Sequence, residues 1–243
     1  MAMRSLLADY RAHIIVGTLL LVFVVLPLLW FALAYSGLPR LWSHHERRKG
    51  RPDGDAVSYT AQGIPADPIN LKVLGSQDRI ECALYQAGWT KADPVSLQAA
   101  IGIAKSVILA RQYAAAPVSP LYFLDRQQDV AFQLDEGVTA ARRHHVRFWR
   151  TDRDLWYGTT TFDRGVGLSL FTLQITHHIG PAVDAERNRV ASALAQGSAQ
   201  ALAASLRPTK HLRRNGGGDR YVTDGRVAVV VMNPKSTLCY HPD

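Results

Sequence analysis

Apolar positions along the chain form one long unbroken run, followed by short periodic groups. The run is Ile14 to Tyr35, IIVGTLLLVFVVLPLLWFALAY, and it contains no charged residue. About 20 such residues cross the hydrocarbon core of a bilayer as a helix, which also satisfies every backbone polar group in lipid. The pattern predicts a transmembrane helix over 14–36 after a short tail, 1–13, with Ile14, Leu20, Phe23, Leu28 and Tyr35 facing lipid. A cleaved signal peptide has a shorter apolar region. This run leaves through Leu38-Pro39-Arg40-Leu41-Trp42, a poor cleavage site. Pro27 predicts a kink, and Trp30, Tyr35 and Trp42 cluster at one end, where amphipathic rings favour the membrane interface.

The next stretch, 37–66, is polar and rich in Gly, Pro and Asp, a composition that predicts a linker. One soluble domain, 67–243, then follows. Within it Ile69–Leu74 reads as a strand. Ser76 caps a helix that stops at Gly88, and Asp93-Pro94 opens a second helix through Ile108. Strands are predicted over Leu121–Leu124 and Val130–Leu134, joined by a polar turn. Further strands are predicted over His144–Arg150, Leu155–Phe162, Leu168–Ile175 and Arg226–Met232. Val183–Leu194 reads as a helix that Gln200–Leu206 extends or repeats, and Arg207–Arg220 as a flexible glycine-rich loop. This order predicts an α+β fold with a mostly antiparallel sheet and flanking helices.

Charge adds an orientation. The chain carries net +8, with Arg4 and Arg11 before the apolar run and Arg40, Arg47, Arg48, Lys49 and Arg51 after it. Lys and Arg favour the cytoplasmic side, so the larger cluster points the domain to the cytoplasm of a single-pass inner-membrane protein. Nothing resembles a nucleic-acid module; the partner implied is the lipid bilayer. The two cysteines, Cys82 and Cys239, lack metal-ligand spacing, and a disulfide between them requires a domain outside the cytoplasm.

Strand alternation places His144, Val146 and Phe148 on one face and His145, Arg147 and Trp149 on the other. Tyr157, Thr159, Thr161 and Asp163 share a face of the next strand, and His177 falls in line with Ile175 and Ile179. Asp184, Glu186 and Arg187 open the following helix. These positions admit a structural explanation, as satisfied core histidines and helix-start carboxylates. They also admit a functional one. His145, His177 and Asp163 are the candidates for acid/base catalysis, and Arg126, Arg147 and Arg187 for gripping an anionic substrate. His144, His177 and Asp184 are the candidate ligands of a divalent metal. The chain has no HExxH, GxSxG or P-loop.

The blocks DPINLKVLGS, AGWTKADPVS, PVSPLYFLDRQQDVAFQ, RRHHVRFWR, LWYGTTTFDRGV, ITHHIGPAVDAERNRV and YVTDGRVAVV together resemble the LssY C-terminal domain family. The resemblance implies association with a type I secretion locus and, in longer relatives, a place after DedA-type and PAP2-type membrane segments. It implies no assigned activity. The family's polar signature falls on Arg126, His144, His145, Arg147, Trp149, Asp163, His177, Asp184, Glu186 and Arg187. Gly180-Pro181 stands where relatives commonly carry an acid. Two functions follow as expectations. The first is a membrane-anchored accessory or binding domain serving envelope lipid handling or secretion, in contact with membrane proteins. The second is a membrane-associated hydrolase of a phosphorylated or lipid-linked substrate.

Overall fold

In the computed structural model, which describes residues 2–49, 57–93, 118–136, 142–195, 199–202 and 211–233, the apolar run lies inside one helical rod. Helices α1 (Ala2–Leu20), α2 (Leu26–Ala32) and α3 (Leu38–Lys49) are joined by two π-helical turns, Leu21–Val25 and Leu33–Gly37. Each π turn ends two residues before a proline. Proline has no N–H, and its ring collides with the carbonyl four residues back. Those carbonyls belong to Phe23 and Tyr35, inside the π turns. There the wider bonds from Leu26 N–H to Leu21 O and from Leu38 N–H to Leu33 O open the helix. Most apolar side chains of the rod are exposed, and it is long and apolar enough to cross a membrane.

Strands β1 (Val57–Tyr59), β2 (Pro65–Pro68) and β3 (Leu71–Leu74) lead to α4 (Gln77–Gln86). Next come β4 (Thr90–Lys91), β5 (Tyr122–Phe123), β6 (Arg126–Gln127), β7 (Val130–Asp135), β8 (Arg143–Asp152), β9 (Leu155–Leu168) and β10 (Ile175–Ile179). Helix α5 (Val183–Leu194) precedes β11 (Ala199–Leu202), β12 (His211–Arg214), β13 (Arg220–Thr223) and β14 (Ala228–Val231). The main sheet runs β11-β14-β3-β9-β8-β7-β4, with β10 beside the distal half of β9. The β14–β3 pair is parallel and the others are antiparallel, so the fold is α+β.

Helices α4 and α5 cover one face of this sheet. Val146 and Phe148 of β8 point into that core beside Leu71, Val73, Ile80, Leu84, Trp156, Val190 and Leu194. The opposite face is partly roofed by the small sheet β2-β1-β5-β6, with Trp149 packed against Ala66, Ile69 and Leu121. Cys82 of α4 is disulfide-bonded; the chain's other cysteine, Cys239, lies outside the described residues.

Several sequence-based expectations are corrected. The stretch 37–66 is not all linker: α3 continues to Lys49, and β1 and β2 bring buried Val57, Tyr59, Ile64 and Ala66 into the domain around a turn at Gly63. Leu168–Ile175 is not a strand. Ser169 accepts hydrogen bonds from the backbone N–H of Phe171 and Thr172, and Leu173 adopts a positive φ of 57°, so the segment turns between β9 and β10. Residues 199–202 form a strand on β14 rather than more helix, and 211–223 form the β12–β13 hairpin. The helix expected from Asp93 to Ile108 falls almost entirely outside the described residues.

Helix α5 is fastened by polar contacts as well as by its core face. Buried Arg187 donates to both carboxylate oxygens of Asp224, at 2.6 and 3.3 Å, and to the Arg226 carbonyl at 3.0 Å. Asp184 accepts from Thr223 Oγ1 and from the Asp224 N–H. His144 Nδ1 meets Glu186 Oε2 at 2.6 Å, both side chains being buried. Arg187 is buried, whereas Asp184 and Asp224 stay partly open to water, so removing it costs charge-assisted hydrogen bonds rather than stranding a fully buried charge. Arg187→Met should therefore destabilise the full chain by about 1.5–3 kcal/mol in thermal unfolding. Arg126→Ala, at an exposed pair with Asp129, should cost about 1 kcal/mol or less. Equal losses would show that Arg187 is not a structural tie.

Candidate functional site

Strand pairing builds a polar surface on the roofed face of the main sheet. In the β8–β9 register Arg143 lies opposite Asp163, His145 opposite Thr161, Arg147 opposite Thr159 and Trp149 opposite Tyr157. Residues at alternate positions share a face. The odd-numbered β8 side chains thus leave the helix-covered core and meet the odd-numbered ones of β9. Strand β10 adds His177, and the end of β2 adds Asp67. Together they line a cavity of about 260 Å³, whose rim comes from the β1–β2 turn (Thr60–Gln62), the β9–β10 turn and the glycine loop at Asn215–Gly217.

The glycine loop is held tightly. Asn215 Oδ1 accepts from the N–H of Gly217 and Asp219, and a side chain on Gly216 would strike Thr60. Buried Asp219 accepts from the Ile179 N–H and meets His178 Nδ1 at 2.9 Å, fixing β10 against the loop. His178 thus points away from the cavity, and its neighbour His177 points in.

Asp163 is the hub of the cavity. Its Oδ2 lies 2.8 Å from His145 Nε2, off the ring's N–H direction, and 3.6 Å from His177 Nδ1. Arg143 Nη2 approaches His177 Nε2 at 3.4 Å and Arg143 Nη1 donates to Gln133 at 2.9 Å. Because a guanidinium is only a donor, the Nε2 lone pair faces Arg143 and the Nδ1 proton faces Asp163. Arg147 Nη1 donates to Asp67 Oδ2 at 3.3 Å. Buried polar atoms without an aligned partner concentrate here: His145 Nδ1, Arg143 Nε, Arg147 Nε and Thr159 Oγ1. Buried polar groups are nearly always satisfied, and these lie around a cavity able to admit a polar ligand.

The surroundings set the charges. Burial pushes His145 and His177 below the usual imidazole value, against the pull of Asp163, so both are neutral near pH 7. Burial alone would raise Asp163, but the facing His145, His177 and Arg147 hold its carboxyl below the ordinary value. Burial likewise lifts Asp67, to about 6, against the opposing pull of Arg147.

Of the residues singled out from sequence, the structure gathers His145, His177, Asp163 and Arg147. It does not gather the others. Arg126 bridges the Arg150 carbonyl and Asp129 on the surface, and Arg187 is buried against Asp184 and Asp224. The proposed metal set is dispersed: His144 is bonded to Glu186 on the helix-covered face, Asp184 caps the β13–β14 connection, and only His177 reaches the cavity. Among the described residues no group of three or more His, Cys, Asp or Glu side chains could hold a metal ion. Arg143, one of the clustered arginines that the sequence offers for gripping a phosphate, also reaches the cavity; sequence reasoning missed Asp67, which fell at the presumed linker boundary. The signal for Asp67 was a lone carboxylate in the Pro65-Ala66-Asp67-Pro68 strand.

The raised Asp67 value has a stability consequence. Between about pH 4 and 6 the folded chain keeps a proton that the unfolded chain releases, so the Asp67 contribution is full below pH 4 and is lost as pH rises through 6. Asp67→Asn stays neutral throughout. Its stability relative to the native sequence should therefore rise by about 3 kcal/mol between about pH 4 and 8, read from paired thermal melts. A pH-independent difference would contradict this assignment.

No curated protein and no solved structure matches the chain. The LssY C-terminus family matches residues 52–227, a span that begins before β1, takes in all the cavity-lining residues and ends just short of β14. By that match, which covers well over half of its length, the chain belongs to the LssY C-terminus family.

Proposed function

We propose that the N-terminal helix is a retained membrane anchor and that the domain it carries binds and hydrolyses a phosphorylated substrate in the β8–β9 cavity. The observation that carries this reading is the convergence of two arginines, Arg143 and Arg147, with His177 and Asp163, 3.6 Å apart, on one cavity. Guanidinium groups in a partly desolvated site suit the oxygens of a phosphoryl group. His177 has the chemistry of a general base: it is neutral, Asp163 faces its Nδ1 proton, and its Nε2 lone pair, which faces Arg143 across a long 3.4 Å contact, is released to a water once a phosphoryl group draws that guanidinium away. It would take the proton of an attacking water, and the arginines would stabilise charge developing on the phosphoryl oxygens.

A second reading, an accessory domain that binds the same group without hydrolysis, is favoured by Arg147 already being engaged by Asp67. Kinetics separate the two. With a soluble phosphomonoester, His177→Asn should lower kcat by about 100-fold or more with KM little changed, as expected for loss of acid/base catalysis. Arg147→Gln should chiefly raise KM. Phosphate-dependent thermal stabilisation without turnover would support the accessory reading, and absence of both would defeat the cavity assignment.

We infer the compartment from Cys82. Stable disulfides belong to oxidising compartments, and the Cys82 disulfide supports a domain outside the cytoplasm. This opposes the orientation drawn from flanking charges, whose excess is small. On non-reducing gels of whole cells treated with a membrane-permeant maleimide, the chain should stay unlabelled until reduced. Labelling without reductant would return the domain to the cytoplasm.

A further inference from the structure

The β9–β10 turn carries a group of apolar side chains that the core does not use. Leu170 is 66% exposed, Ile175 60% and Val166 56%, with Leu168 and Leu173 also open. A contiguous exposed apolar group of this kind marks a surface that meets another apolar phase. The same turn is fixed to the N-terminal rod. Trp42 Nε1 donates to the Phe171 carbonyl at 2.6 Å, and the two rings pack edge-on at 4.9 Å. Farther along α3, Ser43, Glu46 and Arg47 line a cleft together with Thr60–Gly63.

The Trp42–Phe171 contact sets a height. Trp42 lies seven residues beyond Tyr35, the end of the apolar run, which is about 10 Å along a helix axis. The polar interfacial layer on each side of a bilayer is roughly 5–8 Å deep. A turn seated at Trp42 therefore lies just outside that layer, and its exposed leucines are the groups that would enter it. The turn also walls the cavity, through Ser169, Thr172 and Gln174, and Ile175 stands at the rim beside His177.

We propose that the β9–β10 turn dips into the bilayer crossed by the rod, and that the cavity takes the phosphoryl headgroup of a membrane lipid whose chains stay in the membrane. This rests on the anchor and phosphoryl-cavity readings and adds the source of the phosphoryl group. Free phosphate offers the same oxyanion to Arg143 and Arg147, but it has no use for Leu170 and Leu173, which stand outside the cavity lining. Arg40, Arg47 and Arg48 on the same stretch of helix add attraction for anionic lipid.

The test uses the full chain in phosphatidylcholine nanodiscs, with phosphatidic acid added to the bilayer or inorganic phosphate added to the buffer. Occupancy is read from the His177 imidazole carbon signal. In the native sequence both additions should shift it. Leu170→Glu combined with Leu173→Glu should weaken the phosphatidic acid response by about tenfold or more through lost apolar burial. Its response to inorganic phosphate and its thermal stability should be unchanged. An unaltered response to phosphatidic acid in that variant would overturn the membrane-facing turn while leaving the cavity reading intact. If neither addition shifts the signal in the native sequence, the cavity reading itself fails, and the headgroup assignment with it.

Discussion

The antiparallel pairing of β8 with β9 is the constraint on which the domain depends. One register, from Arg143 opposite Asp163 to Trp149 opposite Tyr157, sorts side chains to two faces with opposite requirements. Val146 and Phe148 go under the helices, while Arg143, His145 and Arg147 go to the cavity. A slip of one residue would exchange the two sets, placing two guanidinium groups in the apolar core. The burial of Phe148, Val146, Trp149 and Trp156 therefore does more than stabilise the sheet. It makes the alternative register prohibitively costly and so fixes the distances from Asp163 to its two imidazoles.

The cavity runs against the usual economy of a protein interior. Two guanidinium groups, two imidazoles and two carboxylates sit on one sheet face, and several of their polar atoms lack an aligned partner. Each such atom lowers stability by about 1–3 kcal/mol. The tightly packed helix side, with His144 closed onto Glu186 and Arg187 onto Asp224, is the counterpart of that strain. The polar residues of this chain thus divide into those that fasten α5 and those left available to a ligand.

Much of this division was legible in the sequence, and the failures have physical causes. Alternation alone separated His144 from His145 and aligned Asp163 with Thr161 and Thr159, because a long central strand leaves a side chain only two directions. The span of α5 was legible from its Ala-rich, acid-first composition. What composition could not reveal was which acids and arginines are tied to one another: Arg187 and Asp184 look the same in sequence whether they face a ligand or Asp224 and Thr223. The turn at Leu168–Ile175 was misread because its leucines alternate like those of a strand, whereas the Ser169 hydroxyl and the positive φ of Leu173 bend the chain. Asp67 was overlooked because a short strand flanked by prolines resembles a linker.

The two π turns of the N-terminal rod bear on helical phase. Trp30, Ala34, Leu38, Trp42 and Glu46 recur at every fourth residue, and each is at least partly buried. In a regular α-helix such a stripe drifts around the axis by about 40° per step. The wider turn at Leu33–Gly37 lies within this stripe and takes back part of the drift, so that residues above and below it stay in line. The proline at 39 thus acts at a distance: by demanding space at the Tyr35 carbonyl, it sets the azimuth from which Trp42 meets Phe171. The rod is in this sense an indexed shaft, whose angular setting is written three residues before the tryptophan that uses it.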